Sequence, residues 1–175
     1  MEIRPAYRSD LKEIMAVLEA AKGIMRASGN LDQWADGYPS EDVILEDIRL
    51  GNGFVMEATD EPAVINSDAK PHSPRIAAYF AFIPSPEPTY SEIFDGHWLD
   101  DTLPYHVVHR IASLPHIHGI FSAIVEWCFA HDRNIRIDTY RDNHIMQHNL
   151  LKHGFTYCGI IYLPSGSPRL AYQRL

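Results

Sequence analysis

Between Tyr105 and Arg174 the apolar residues change spacing repeatedly, from alternation to helical period and back. That rhythm admits only a fold in which strands and helices share a core. Tyr105–Ser113 reads as a strand. The loop Leu114-Pro115-His116-Ile117-His118-Gly119 feeds a helix whose apolar face is Ile120, Phe121, Ile124, Val125, Cys128 and Phe129. Asn134–Tyr140 is the next strand. Asp142-Asn143 offers a cap for a helix over His144–His153, which Gly154 closes. Phe155–Tyr162 and Arg169–Arg174 are the last strands, joined by the turn Pro164–Pro168.

The first half completes the pattern. Glu2–Tyr7 reads as a strand, and Ser9 stands where a helix N-cap is needed. Leu11, Ile14, Met15 and Leu18 follow at i, i+3, i+4 and i+7, a helix that fades near Gly29. A polar-aromatic loop, Asn30–Tyr38, leads through Pro39 to a second N-cap, Ser40. Val43, Ile44 and Ile48 face the next helix inward, and Gly51 ends it. Phe54–Ala58 and Arg75–Ile83 are strands of one meander, and the polar, proline-containing segment Thr59–Pro74 between them reads as a mobile connection. Pro84–Pro88 stops the second of these strands, and the segment Thr89–Asp101 carries a helical turn at Tyr90–Phe94, with Trp98 beyond it. No internal repeat is visible. The expected order is βααβββαβαββ, an α/β (α+β) fold with a mixed central sheet of about seven strands and about four helices. Residues 1–175 are read as a single domain.

Composition narrows the function classes. The chain has 175 residues, 46% apolar and 22% charged, close to the globular average. Fifteen Lys plus Arg against 23 Asp plus Glu leave a net charge of −8. With no basic run to displace counterions, nucleic acid is not an expected partner. No apolar stretch is long enough to span a membrane, and Met1-Glu2-Ile3-Arg4-Pro5 opens without the features of a secretion signal. Cys128 and Cys158 lie in apolar segments outside CxxC spacing, as expected of reduced thiols in a cytoplasmic protein.

The strand, glycine-bearing loop and helix around Gly119 form an arrangement that receives phosphate. Amides at a helix N-terminus point outward, and the peptide dipoles add roughly half a positive charge there. The donors would be the amides of Ile117, His118, Gly119, Ile120, Phe121 and Ser122. The loop is neither GxGxxG nor GxxxxGK[ST], so neither a Rossmann nor a P-loop site is supported. His144 and His148 stand at i, i+4, but Ile145 occupies the place of the Glu in HExxH. His116 and His118 have no Cys or carboxylate at ligand spacing, so no metal is expected. Ser122 lacks a Gly-x-Ser-x-Gly elbow, which leaves a hydrolase without support.

Val108-His109-Arg110-Ile111-Ala112-Ser113, then His118-Gly119-Ile120 into a helix, Ile135-Arg136-Ile137-Asp138, Asn143-x-x-Met146 and Lys152-His153-Gly154-Phe155 together resemble the GNAT superfamily of acetyl-CoA-dependent N-acetyltransferases. Gln33-Trp34 with Gly37-Tyr38-Pro39 is similar to the N-terminal loop of a bacterial small-molecule branch. The family's phosphate loop, Gln/Arg-x-x-Gly-x-Gly/Ala, is here His116-Ile117-His118-Gly119-Ile120-Phe121. The glycine is kept, His116 replaces the first residue and Phe121 the last. The Phe121 ring either weakens cofactor affinity or points into the core.

The resemblance implies that the strand Val108–Ser113 splays from its neighbour after Asn134–Thr139 and that pantetheine enters the gap. It would pair there with backbone of Ile111 and Ser113. An amide near Ile111 or Ala112 would face the thioester oxygen, and Asn143 would be the side-chain partner of the cofactor. The Tyr that many members carry seven residues after this Asn is Leu150 here, so the usual general acid is absent. Candidates for the base are His109, oriented by Asp138, or Asp138 itself, with Tyr105 and Tyr140 more remote. A His–Asp pair across strands is also a common satisfied polar contact. On a strand His109 would share a face with Tyr105, Val107 and Ile111. Trp34, Tyr38 and Trp98 are candidate walls of an amine pocket or simply packing residues. The implied activity is direct acetyl transfer from acetyl-CoA to a primary amine on a small molecule or a protein. The alternative is a non-catalytic acyl-CoA-binding or sensory module on the same fold. A homodimer is plausible on general grounds.

Overall fold

The structure, a computed structural model, describes residues 1–35, 37–58 and 75–175. In chain order the elements are β1 (Glu2–Pro5), α1 (Leu11–Ala27), α2 (Glu41–Arg49), β2 (Gly53–Ala58), β3 (Arg75–Pro84), β4 (His106–Ser113), α3 (Ile120–His131), β5 (Ile135–Thr139), α4 (His144–Lys152), β6 (Thr156–Tyr162) and β7 (Pro168–Arg174). This is the order expected from periodicity. The connection expected to be mobile, Thr59–Pro74, lies outside the described residues.

The strands form one seven-stranded sheet in the order β1-β2-β3-β4-β5-β7-β6. Every neighbouring pair is antiparallel except β4 and β5. Helices cover both faces. On one, Ile14, Val17 and Leu18 of α1 and Ile44 of α2 meet Val55, Ile76, Tyr79 and Ala112. On the other, Ile124, Val125 and Cys128 of α3 and Leu150 of α4 meet Phe80, Phe82, Val108, Ile135 and Ile137. Removing these side chains from water is the main favourable term in folding. Both cysteines are free and buried, and burial pushes the Cys128 thiol up to about 12. Among the described residues no helix is long and apolar enough to cross a membrane.

Several local signals act as read. Ser40 caps α2 by accepting from the Val43 amide at 3.4 Å, and Asn143 caps α4 by accepting from the Met146 amide at 3.0 Å. Ser9 does not cap α1. It lies inside a 3₁₀ turn, Arg8–Asp10, that precedes the helix. Asp10 takes the capping work instead, accepting the Tyr7 amide and the Arg4 guanidinium, each at 2.8 Å. The helical turn expected at Tyr90–Phe94 sits earlier, at Pro88–Tyr90, because Glu87 accepts the Thr89 amide and sets the N-cap there. Phe94 instead bridges to Ile160 across the edge of β6.

Candidate active site

The site begins with a break in β4. Ala81 of β3 opposes His109 and Tyr79 opposes Ala112, so Arg110 and Ile111 together face a single residue. Arg110 adopts φ 56°, a left-handed conformation uncommon for a non-glycine residue. Its guanidinium is held by Asp47 of α2, at 2.8 Å from Nε and 2.5 Å from Nη2, while Nη1 donates to the Tyr38 hydroxyl at 3.0 Å. Tyr79 donates its phenol to the same carboxylate at 2.7 Å. The bulge breaks the alternation expected of the strand. Val107 packs with Tyr90 and Trp98, whereas Ile111 joins the core under α3.

Beyond the bulge β4 leaves its parallel neighbour. Only His106↔Ile135 and Val107↔Arg136 pair between β4 and β5. The edge of β4 from Val108 to Ser113 therefore borders a gap. At its upper end a space of about 130 Å³ is lined by Ile111, Ala112, Ser113, Ile120, Phe121 and Asn143. Below it opens a cavity of about 600 Å³. Met25, Ile111, Asn143 and Met146 line both.

Gly119 caps α3 with φ 79°, and a Cβ added there would meet nothing within 4 Å. The turn is open. Ala123 donates to Gly119 O at 3.0 Å as the first helical bond, so the amides of Ile120, Phe121 and Ser122 precede the ladder and are available to an anion. The Phe121 ring turns toward the end of α4, edge-on to His153 at 5.1 Å. His153 Nδ1 donates to Asn149 O at 2.8 Å, which leaves Nε2 to accept from the Ser122 hydroxyl at 2.8 Å. Ile117 packs against the core under α3, and His118 is exposed. Asn143 is 7% exposed. Besides capping α4, it donates Nδ2 to Gln33 Oε1 at 2.8 Å, tying the N-terminal loop to the gap.

His109 stands in the large cavity between two carboxylates. Nε2 lies 3.6 Å from Glu87 and Nδ1 lies 3.5 Å from Asp138. Neither contact is a tight hydrogen bond, so the imidazole keeps capacity for a ligand. Asp138 also accepts the Tyr90 phenol at 2.7 Å. Burial and the Asp138 charge push that phenol well above its ordinary range, so Tyr90 holds its proton. Glu87 is held down to about 2, first by the facing His109 imidazole 3.6 Å away and against the opposing effect of burial. It is therefore ionised at neutral pH. Glu87→Gln should lower kcat/KM while leaving CoA affinity near wild type; an unchanged kcat/KM would show that Glu87 does not act on the cavity imidazole.

Trp34 and Tyr38 line the cavity. Trp98 does not. It is 5% exposed, stacked on Tyr90 at 5.3 Å and covered by the Arg136 guanidinium at 4.0 Å, so it is a packing residue beneath the insert. Tyr105 is stacked in the same cluster, its hydroxyl accepting the Glu87 amide at 3.3 Å. Tyr140 reaches Asp32 at 3.5 Å. His144 and His148 are exposed on α4, and among the described residues no three His, Cys, Asp or Glu side chains converge on a metal site.

No protein-family model matches the sequence, and no curated protein matches it. Among solved structures, the chain is similar to an acetyltransferase of the GNAT family from Streptococcus agalactiae. The two are 32% identical, with a TM-score of 0.81 over 99% of this chain and 94% of that one. The chain belongs to the GNAT family. It is an acyltransferase. A GNAT-family acetyltransferase from Listeria monocytogenes shares the fold at 16% identity and a TM-score of 0.67, over 99% of this chain and 93% of that one. A ribosomal-protein-alanine N-acetyltransferase from Brucella melitensis does so at 14% identity and 0.55, over 100% and 99%.

Sequence reasoning missed four residues that shape this GNAT site: Asp47, Glu87, Tyr90 and Arg169. Glu87-Pro88-Thr89 carries a cap signal, an acidic residue ahead of a proline and a threonine, which marks the turn but not the cavity. Arg169 was read only as the start of a strand. Leu150, where many members carry a Tyr, is fully buried in the core.

Proposed function

We propose that residues 1–175 form one N-acetyltransferase domain that transfers acetyl directly from acetyl-CoA to a primary amine of a small molecule or protein. The observation that carries this reading is the open edge of β4, which runs from the N-terminus of α3 to His109. The residues present suit such a donor. The Gly119 turn is open, and the amides of Ile120, Phe121 and Ser122 can receive a diphosphate. The gap between β4 and β5 has room for a thin arm along Ile111–Ser113. Acetyl-CoA, when bound there, supplies the activated thioester. An edge amide near Ile111 or Ala112 would donate to an acyl oxygen, an effect worth about 3 kcal/mol in comparable sites. His109 takes the proton that the ammonium must lose before it can attack. Asp138 and Glu87 hold the resulting imidazolium, and Tyr90 holds Asp138. Trp34 and Tyr38 wall the acceptor side and limit its motion.

Thiol release from acetyl-CoA over an amine panel tests the reading. Release should depend on an added amine, and Gly119→Val should weaken CoA binding roughly tenfold, because a β-branched residue resists φ 79°. Tight CoA binding without release on any amine would favour the sensory module instead.

A further inference from the structure

Among the described residues, the cavity wall holds one arginine whose donors are not all spent. Arg169, on β7, lines the large cavity and is 6% exposed. Its Nη1 donates to the Ser167 hydroxyl at 2.6 Å and to Pro168 O at 3.1 Å. Nε lies 3.9 Å from Asp138 Oδ2, beyond hydrogen-bond reach. Among the described residues Nη2 has no acceptor. Burial lowers the Arg169 pKa despite the opposing pull of Asp138 and Tyr140, so the charge is desolvated further than its neighbours compensate. Arg110, the other arginine on the cavity wall, is engaged by Asp47 and Tyr38.

The hydroxyls on the same wall point to the same ligand chemistry. Ser165 and Ser167, in the β6–β7 turn, line the cavity. Ser167 Oγ accepts from Arg169, so its own proton is left to donate. A planar fork of N–H groups beside a hydroxyl donor suits a carboxylate, which can take both. Asp138 lies between the two functions, 3.5 Å from His109 Nδ1 and 3.9 Å from Arg169 Nε. An amine at His109 and an anion at Arg169 would therefore be close neighbours on one small molecule.

We propose that the acceptor is a zwitterion, an amino acid or close relative, whose carboxylate docks on Arg169 and Ser167 while its amine faces His109. This rests on the acetyl-transfer reading above. It disfavours simple amines and peptide N-termini, in which the nearby carboxylate is absent or is an amide.

The test compares free amino acids with their own carboxamides, where only the carboxylate changes. Thiol release gives kcat/KM, and calorimetry on the CoA-loaded protein gives affinity. Wild type should prefer the acid over its amide by about tenfold or more. Arg169→Gln should bring that ratio toward unity, Arg169→Lys should keep part of it, and Ser167→Ala should lower it. Comparing ratios between wild type and variant cancels the different basicities of acid and amide. Amides that match or outperform their acids in wild type, a ratio unchanged in Arg169→Gln, or no binding by any amino acid would each overturn the proposal. Acid-selective binding without thiol release would uphold the ligand class and overturn the transfer reading instead.

Discussion

His109→Gln is expected to lower kcat/KM by roughly 100-fold or more, with CoA affinity within about twofold of wild type. Glutamine is close to histidine in size, so the cavity keeps its shape and loses the proposed base. His109 is the imidazole that both Glu87 and Asp138 face, at 3.6 and 3.5 Å, inside the cavity at the foot of the splayed strands. Asp138→Asn should act in the same direction but less, since it leaves the ring in place and removes only the charge that supports the imidazolium. Steady-state rates and calorimetric CoA binding on the same preparations check both. Wild-type turnover in both variants would remove this pair from the mechanism and leave them as a polar contact across strands.

The second large effect concerns stability. Asp47→Ala should lower unfolding free energy by about 3 to 5 kcal/mol, because it strands the Arg110 cation in a mostly buried position. The Tyr79 phenol, fully buried, loses its acceptor in the same change. For a chain of this size the melting temperature should fall by roughly 10 °C. The double variant Asp47→Ala with Arg110→Met should recover much of that loss, since an apolar replacement leaves no unpaired charge. Its CoA affinity should nevertheless stay reduced, because Asp47 and Arg110 together hold the bulge that turns β4 from β5. Thermal unfolding of the single and double variants decides this; an unchanged melting temperature in Asp47→Ala would show that the network carries little energy.

The parts of this protein legible in its sequence are those with local causes. The stripe of Leu11, Ile14, Met15 and Leu18 and the alternation through Tyr105–Ser113 each need only neighbours a few positions away. So do the caps at Ser40 and Asn143 and the positive-φ glycines at 51, 119 and 154. The Ser9 assignment failed for a local reason too, as Asp10 offered a stronger acceptor that Arg4 also needed. Trp98 was misplaced because an isolated aromatic in an insert does not reveal whether it faces a cavity or a second cluster. Its position was set by Tyr90 within the same insert and by Arg136 of β5, which comes from a distant segment.

Side-chain period and turn chemistry, written in adjacent residues, were enough to determine the order of strands and helices and the open glycine turn at the head of α3. Contact between Asp47 and Arg110, 63 positions apart, belongs to the tertiary structure alone. So does the meeting of Glu87, His109, Asp138 and Arg169 in one cavity. Charges in water scarcely feel one another over such chain separations. Only when the sheet excludes solvent and brings four segments together can these groups act on one another.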